Sequence, residues 1–377
     1  MENRVNVSAI MIKSRSFEKT ARALSGKTIL IYGAGGFGIE MLRHLRQADL
    51  STAAVLDQRA AELSSLEGVP VYTAEEAPFD RSGCVVLFSI VMDREARRRT
   101  IAHLRDLGYA EIVEAQSLRC LLVQPDDRGE ESISDYYRRR TANIQRAEGL
   151  FTDERSLGVY RSCVFAHATG DYSACAQWES PMAEQYFPPD VPLEKGYQRF
   201  LDCGGYTGDT VAQVLEQERA IEACAVFEPD SGNYARMVGR LAGLKARIGQ
   251  RWLFPCAVSD GAGICGFSQG TGSGALSRQG DCAVETVALD QAVPDFRPTF
   301  LKMDIEGAEP AALRGAKGII ARNRPDLAIC VYHAVNHIWD IPLLLDSWNL
   351  GYRFFLRSYN AYTMETVLYA TAVHQTR

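Results

Sequence analysis

Asp202-Cys-Gly-Gly-Tyr-Thr-Gly-Asp-Thr210 ends a short apolar run, 199–203, and leads into a stretch of helical periodicity over 209–218. An acid at a strand end, glycines that let the backbone approach a ligand and an immediate helix start together make a pocket across a helix N-terminus. Gly204, Gly205, Tyr206 and Gly208 form the turn, with Asp209 and Thr210 at the helix start. Phosphate-binding loops share this geometry, so the next acidic strand end has to decide between them. It is Glu228, in Val226-Phe-Glu-Pro229-Asp230, 228 − 208 = 20 residues past the last glycine. At that offset a carboxylate accepts hydrogen bonds from ribose hydroxyls, which favours a nucleoside over a bare phosphate. Glycine turns with acidic strand ends also occur in doubly wound sheets as plain structure. A third strand end adds weight to the ligand reading. Phe300-Leu-Lys-Met-Asp304-Ile-Glu306-Gly-Ala-Glu309 places two carboxylates just beyond the fourth strand of this half, where ligands meet reacting groups in open parallel sheets.

Outward from the motif, strands are expected near 223–227, 252–257, 299–304 and 326–332, with a helix near 231–241. The runs 352–358 (YRFFLRS) and 366–372 (TVLYATA) are expected to close the chain as an antiparallel hairpin. Toward the N-terminus, strand-like runs at 28–33, 52–57, 69–72, 84–90 and 110–114 alternate with helical spacing at 37–48 and 94–107, a second α/β pattern. Between the halves, helical stretches dominate at 131–149 and 154–167, followed by the turn-rich Pro181 to Pro192. The expected fold is α/β: a smaller Rossmann-like domain at 1–118, a helical bridge or lid at 119–198, and a doubly wound sheet with a final antiparallel hairpin at 199–377.

The 377 residues exceed what one hydrophobic core usually serves. With 46% apolar and 23% charged residues the composition is that of an ordinary globular protein. A net charge of −6 and the lack of any long Lys/Arg cluster argue against a nucleic-acid partner, since there is no surface to neutralise phosphates. No 18-residue apolar window exists, so no membrane-spanning helix is expected. The ten cysteines are scattered without a CxxC pair, which suggests reduced, mostly buried thiols and a cytoplasmic setting. The partner expected is a small molecule or glycan, with a homo-oligomer left open.

From Phe200 to Ala370 the sequence resembles the FkbM family of S-adenosylmethionine-dependent methyltransferases. The likeness rests on DCGGYTGDT, the second-strand EPD, Ala257-Val-Ser-Asp260, the distinctive KMDIEGAE and the closing Glu365-Thr-Val-Leu-Tyr-Ala-Thr371. Gln185-Tyr-Phe187 and Asp171-Tyr172 look like the segment that precedes the first motif in larger members. The resemblance implies a methyltransferase fold, S-adenosylmethionine as cofactor and O-methylation of a sugar, glycan or natural product. It further implies that Asp202, Gly204 and Gly208 shape the methionine part of the pocket and that Glu228 binds the ribose. Asn233 and Ala257-Val258 would flank the adenine, and Asp304 would face the methionine amino group or the substrate.

Methyl transfer to oxygen needs the reactants held in line and a base for the hydroxyl proton. His333, after Leu327-Ala-Ile-Cys-Val-Tyr332, is the first choice of base, though a histidine at a strand end can equally serve only to hydrogen-bond backbone. Asp304, Glu306 and His333 together would also suit magnesium or manganese, so a divalent cation is a lesser candidate. Glu309 reads as the first-turn acid of the next helix. Tyr186, Arg357 and Tyr359 are candidate acceptor-lining residues.

Gly33-Ala-Gly35-Gly-Phe-Gly38 is a second fingerprint, GxGxxG between a strand and a helix, with Asp57 57 − 38 = 19 residues on. It would suit a dinucleotide or nucleotide-sugar. A nicotinamide-dependent oxidoreductase and a noncatalytic nucleotide-sugar binder are the competing readings. Only about 90 residues follow before the bridge, too few for a separate catalytic domain.

Overall fold

The computed structural model describes Val5, Leu24 and residues 26–47, 49–90, 92, 94–115, 131–268, 275–276, 282–360 and 362–372. The chain forms two compact units, residues 1–142 with 162–176, and residues 143–161 with 177–377. The stretch 119–198 thus contributes to both units, and its residues 119–130 lie outside the described ones.

In the first unit, β1 (Thr28–Tyr32), β2 (Thr52–Leu56), β3 (Ser65–Leu66), β4 (Val69–Tyr72), β5 (Cys84–Phe88) and β6 (Glu111–Glu114) form one sheet in the order β3-β4-β2-β1-β5-β6. All pairs are parallel except β3 with β4. The centre is β-branched and apolar on both faces because helices cover it: α1 (Gly36–Gln47) and α2 (Arg94–Asp106) bury Met41, Leu42, Leu45 and Leu104. β3 was not expected, since two residues carry no periodicity.

Among the described residues the α-helices that follow are α3 (Ile133–Arg139), α4 (Thr141–Glu148) and α5 (Glu154–Thr169). The expected 131–149 helix breaks in two at Arg140, and Ser132 caps α3 by accepting from the Asp135 N–H.

The second unit is built on β7 (Arg199–Cys203), β8 (Ile221–Phe227), β9 (Ile248–Phe254), β14 (Phe300–Met303), β15 (Asp326–Cys330), β16 (Tyr352–Ser358) and β17 (Thr366–Ala372) in the order β16-β17-β15-β14-β7-β8-β9. The first five are parallel, and β16 and β17 form the expected antiparallel hairpin, with β17 also antiparallel to β15. α6 (Asp209–Glu218) and α7 (Ser231–Gly243) connect the early strands. Asp230 caps α7, its carboxylate accepting from the Asn233 N–H at 2.7 Å. Stacked Phe200 and Phe300, both fully buried, tie β7 to β14. The chain leaves β7 toward β8 on one side and reaches β14 on the other, so the switch point where open α/β sheets bind ligands lies between β7 and β14.

The strand expected at 252–257 starts earlier, at Ile248, and ends at Phe254. A four-stranded sheet then intervenes, made of β10 (Ala257–Val258), β11 (Gly263–Ser268), β12 (Ala275–Leu276) and β13 (Cys282–Val287) in the order β10-β13-β11-β12. It escapes a periodicity reading because its strands are short and largely exposed, with glycine and serine in place of an apolar face. A short helix α8 (Leu289–Ala292) precedes β14, and α9 (Glu309–Gly315), α10 (Lys317–Asn323) and α11 (His337–Asp346) complete the unit. The nine described cysteines are free and seven are buried, Cys265 and Cys282 being exposed. No helix among the described residues is long and apolar enough to cross a membrane.

Candidate active site

Three strand ends meet at the switch point. Gly204, at φ +86°, leaves so little space that an added Cβ would fall 1.9 Å from the Asp304 carbonyl oxygen, so the turn after β7 lies against the end of β14. Gly205 is closed in by Val226 and the Met237 sulfur, and Gly208, at φ +76°, is the left-handed residue from which α6 starts. Tyr206 also takes a positive φ, +44°, and stands exposed. Its N–H donates to Glu228 Oε2 at 2.8 Å, while the Asp230 N–H donates to Oε1 at 2.8 Å. Among the described residues Glu228 has no salt bridge within 4 Å, and the Lys302 ammonium acts on it only from a distance. Burial pushes its carboxyl up to about 7 despite those two backbone donors. Thr210 and Asn233 are buried beside these elements, Asp209 is the first residue of α6, and Ala257-Val258 form β10 directly after the third strand.

Asp202 is fully buried, 3.1 Å from the equally buried Lys302 ammonium, and neither carboxylate oxygen has an aligned hydrogen-bond donor. Burial lifts Asp202 to about 6 against the pull of Lys302. Burial would by contrast discharge Lys302, but Asp202 and Asp304 outweigh it and hold the ammonium charged. Lys302 Nζ also donates to the Gly204 carbonyl at 2.6 Å and lies 5.5 Å from the Tyr186 ring centroid, so one cation braces the glycine turn from below.

Asp304 is the hub. Its Oδ2 accepts from Tyr186 Oη at 2.9 Å, its Oδ1 from Tyr332 Oη at 3.3 Å, and His333 Nε2 stands 3.4 Å from Oδ1. Glu306, at φ +55°, brings Oε2 to 3.5 Å from the same nitrogen. His333 Nδ1 faces Glu309 Oε1 at 2.8 Å, a charge-pair distance without the alignment of a hydrogen bond. Burial would lower the imidazole, but Glu309, then Asp304 and Glu306, outweigh it and raise His333 to about 9. β15 ends at Cys330, so His333 sits in the turn beyond the strand, just ahead of α11, which starts at His337.

Asp304, Glu306 and His333 therefore converge, but as an ion-paired cluster. Among the described residues no three His, Cys, Asp or Glu side chains are placed to hold a metal ion. Both His333 nitrogens face carboxylates, and a doubly protonated ring has no lone pair to offer a cation.

Two contributors, Lys302 and Glu365, went unread in the sequence. Lys302 stands inside a buried strand, a break in apolar patterning that could have marked it. Glu365, at φ +58° before β17, accepts from Gln185 Nε2 at 2.7 Å, and burial and Asp304 raise its carboxyl. Tyr186 adopts φ +68°, a strained backbone worth about 1–3 kcal/mol, offset by three contacts. Its N–H donates to Tyr369 Oη at 2.9 Å, its carbonyl accepts from Tyr197 Oη at 2.7 Å and its hydroxyl donates to Asp304. Arg357 and Tyr359, expected to line an acceptor pocket, are instead buried fasteners. Arg357 binds Asp190, Asp153 and Ser156, and Tyr359 bonds to Tyr369. The bonds of Arg357 join Asp153, Ser156 and Asp190 to the terminal hairpin.

In the first unit, Gly33 at φ +115° packs on Ile90, Gly38 lies against the Gly33 carbonyl, and nothing stands within 4 Å of where a Gly35 side chain would be. Asp57 Oδ2 accepts from the Ala34 N–H at 2.7 Å and Oδ1 from the Arg59 N–H at 2.9 Å. The Arg59 guanidinium also spans both oxygens, at 2.9 and 3.0 Å, and lowers the carboxyl to about 2.

Residues 202–354 match the model of the methyltransferase FkbM domain. The crystal structure of a methyltransferase FkbM from Methylobacillus flagellatus KT covers 96% of this chain and 100% of its own, with a TM-score of 0.70 and 21% identity, which establishes a common fold. The pyocyanin biosynthetic protein PhzM is more distant, with a TM-score of 0.30 and 14% identity over 74% of this chain and 83% of its own, too slight a likeness to bear on the site. No curated protein matches the sequence. The turn at Asp202, the carboxylate at Glu228 and the cluster at Asp304 thus lie within the residues, 202–354, that match the model of the methyltransferase FkbM domain.

Proposed function

We propose that the protein is an S-adenosylmethionine-dependent O-methyltransferase acting on a hydroxyl of a sugar, glycan or other polyol. The observation that carries this is the contact of the β7 turn with the β14 end, which sets a nucleoside-type strand end beside a cluster of proton-accepting groups.

The donor supplies a methyl group on a sulfonium. Gly204, Gly205 and Gly208 give its methionine portion backbone rather than side chain to lie against, with Tyr206, Asp209 and Thr210 around the helix start. Glu228 has lone pairs left on both oxygens for the ribose hydroxyls. Pro229 and Asn233 on one side and Ala257-Val258 on the other are the adenine neighbours in this reading. The nearby Asp304 carboxylate suits a cationic donor.

The acceptor hydroxyl meets Asp304 and Glu306, whose side chains are 23% and 33% exposed while His333 beneath them is 4% exposed. Asp304, fixed by Tyr186 and Tyr332, orients the hydroxyl, and His333 Nε2 takes its proton as the oxygen acquires the methyl group. In the free protein His333 carries that proton already at neutral pH. Its base form grows as pH rises toward about 9, and methyl transfer should rise with it.

Calorimetric titration with S-adenosylhomocysteine tests the donor assignment; no heat of binding would sink it. A screen of neutral polyols then tests the acceptor class. A dinucleotide titrated in parallel tests the first unit, where Arg59 already occupies the carboxylate that a ribose would need, so the oxidoreductase reading is not favoured.

A further inference from the structure

The run Lys302-Met-Asp304-Ile-Glu306-Gly-Ala-Glu309 ends in a residue to which the proposed transfer gives no part. Glu309 is the first residue of α9, where an acid ordinarily stands in solvent and interacts only with the helix dipole. Here its side chain is fully buried. Its Oε1 accepts from the Ile305 N–H at 3.0 Å and lies 2.8 Å from His333 Nδ1, and Oε2 lies 3.4 Å from His337 Nδ1. A buried carboxylate without partners would cost several kcal/mol, so this setting has to be matched by positive charge or donors, and two imidazoles supply them. The histidines hold Glu309 well below the usual carboxylate range, against the burial that would raise it.

The two nitrogens of His333 therefore face different surroundings. Nδ1 meets the buried Glu309, whereas Nε2 meets the partly exposed Asp304 and Glu306. Tyr332 lies against the ring at 4.1 Å between centroids, and Glu365 adds a further acidic neighbour from before β17. A base whose far nitrogen is held by a buried carboxylate and whose near nitrogen opens on the reacting groups is a recurring catalytic arrangement.

We propose that Glu309 is a positioning residue for the transfer: it keeps the Nδ1 proton of His333, leaving Nε2 to receive the proton of the acceptor hydroxyl. His337, on the other oxygen, stops the carboxylate from rotating away. As the oxygen–methyl bond forms and the carbon–sulfur bond breaks, the hydroxyl proton goes to Nε2 and the Nδ1 proton stays beside Glu309. The imidazolium thus forms between carboxylates. This role rests on the methyltransferase reading for what is transferred, but the orientation of the ring can be tested without it.

The test is the tautomer of His333, read from its ring 15N signals at alkaline pH where the ring is neutral, in the full-length wild type and in Glu309→Gln. The wild type should show a protonated Nδ1 and a bare Nε2. In Glu309→Gln the amide can donate to Nδ1, so the proton should move to Nε2, and Glu309→Asp should move it back. Methyl transfer by Glu309→Gln should fall by about 10²–10⁴-fold while S-adenosylhomocysteine binding is kept. An unchanged tautomer in Glu309→Gln would overturn the proposal. Should that variant not fold, a wild-type ring protonated on Nε2 would overturn it equally. If the tautomer moves as expected but the wild type binds no S-adenosylhomocysteine, the positioning role stands and the donor reading fails.

Discussion

The two glycine turns share a backbone design and differ in one side chain. In each, the residue after the first glycine pair or single glycine donates its N–H to the acid at the end of the next strand: Ala34 to Asp57 at 2.7 Å, Tyr206 to Glu228 at 2.8 Å. In each, the N–H two residues past the acid donates to its other oxygen, from Arg59 in one case and Asp230 in the other. What separates them is the Arg59 guanidinium, which spans Asp57 and lowers it to about 2, while at Glu228 burial outweighs two backbone donors and the more distant Lys302 and raises the carboxyl to about 7. A fingerprint thus fixes how the backbone turns. Whether its carboxylate remains open to a ligand depends on the side chains that fold over it.

The largest effect expected on this comparison concerns the chemistry found only beside the second turn. His333→Asn should lower methyl transfer by about 10²–10⁴-fold with donor binding retained, read as initial rate against acceptor concentration. Full activity in that variant would remove His333 from the reaction.

Gly204→Ala comes next. The new methyl would have to share space with the Asp304 carbonyl at a φ that favours glycine, so S-adenosylhomocysteine binding should fall by about 100-fold or more. Gly33→Ala, which meets chiefly the Ile90 side chain, should destabilise the first unit and leave that binding intact. Calorimetry and thermal unfolding on both variants separate the outcomes.

Glu228→Gln should weaken S-adenosylhomocysteine by about 10-fold, the scale of a hydrogen bond to a charged group. The sign of its pH dependence follows from the raised carboxyl. The ionised form is the better acceptor for ribose hydroxyls, so wild-type affinity should improve as pH rises through about 7. The Gln variant should lose that component.

The smallest effect belongs to Arg59→Ala. The guanidinium is 54% exposed, so solvent screens the pair and its contribution to stability should be small. Asp57 is depressed, so its contribution is present above the unfolded carboxylate value and fades as pH falls toward about 2. Urea unfolding should show the variant weaker at neutral pH and converging with wild type in strong acid. If Arg59→Ala also let the first unit bind a dinucleotide, the two turns would differ by that side chain alone.

The elements best legible in the sequence are those whose signal is local. The strand-turn-helix at Asp202 follows from the apolar run, the glycines and the helical spacing after them, and α6 occupies the expected 209–218. The final hairpin follows from two β-rich runs separated by a short loop, and it occupies 352–358 and 366–372 as expected. The sheet at 257–287 was illegible because exposed glycine-containing strands have no buried face to impose alternation. Arg357 illustrates a different limit, since arginine looks like a ligand contact until Asp153 and Asp190 are seen to close on it.

By itself the sequence determined where the backbone must turn and which strand ends carry acids, because glycine freedom and apolar periodicity act over a few residues. Only the tertiary structure decided the charge states of those acids. Lys302 comes up under Asp202 from a neighbouring strand, and Glu309 is enclosed by His333 and His337. Burial and the distance to an opposite charge set a carboxylate's character, and both come into being only when separate elements pack together.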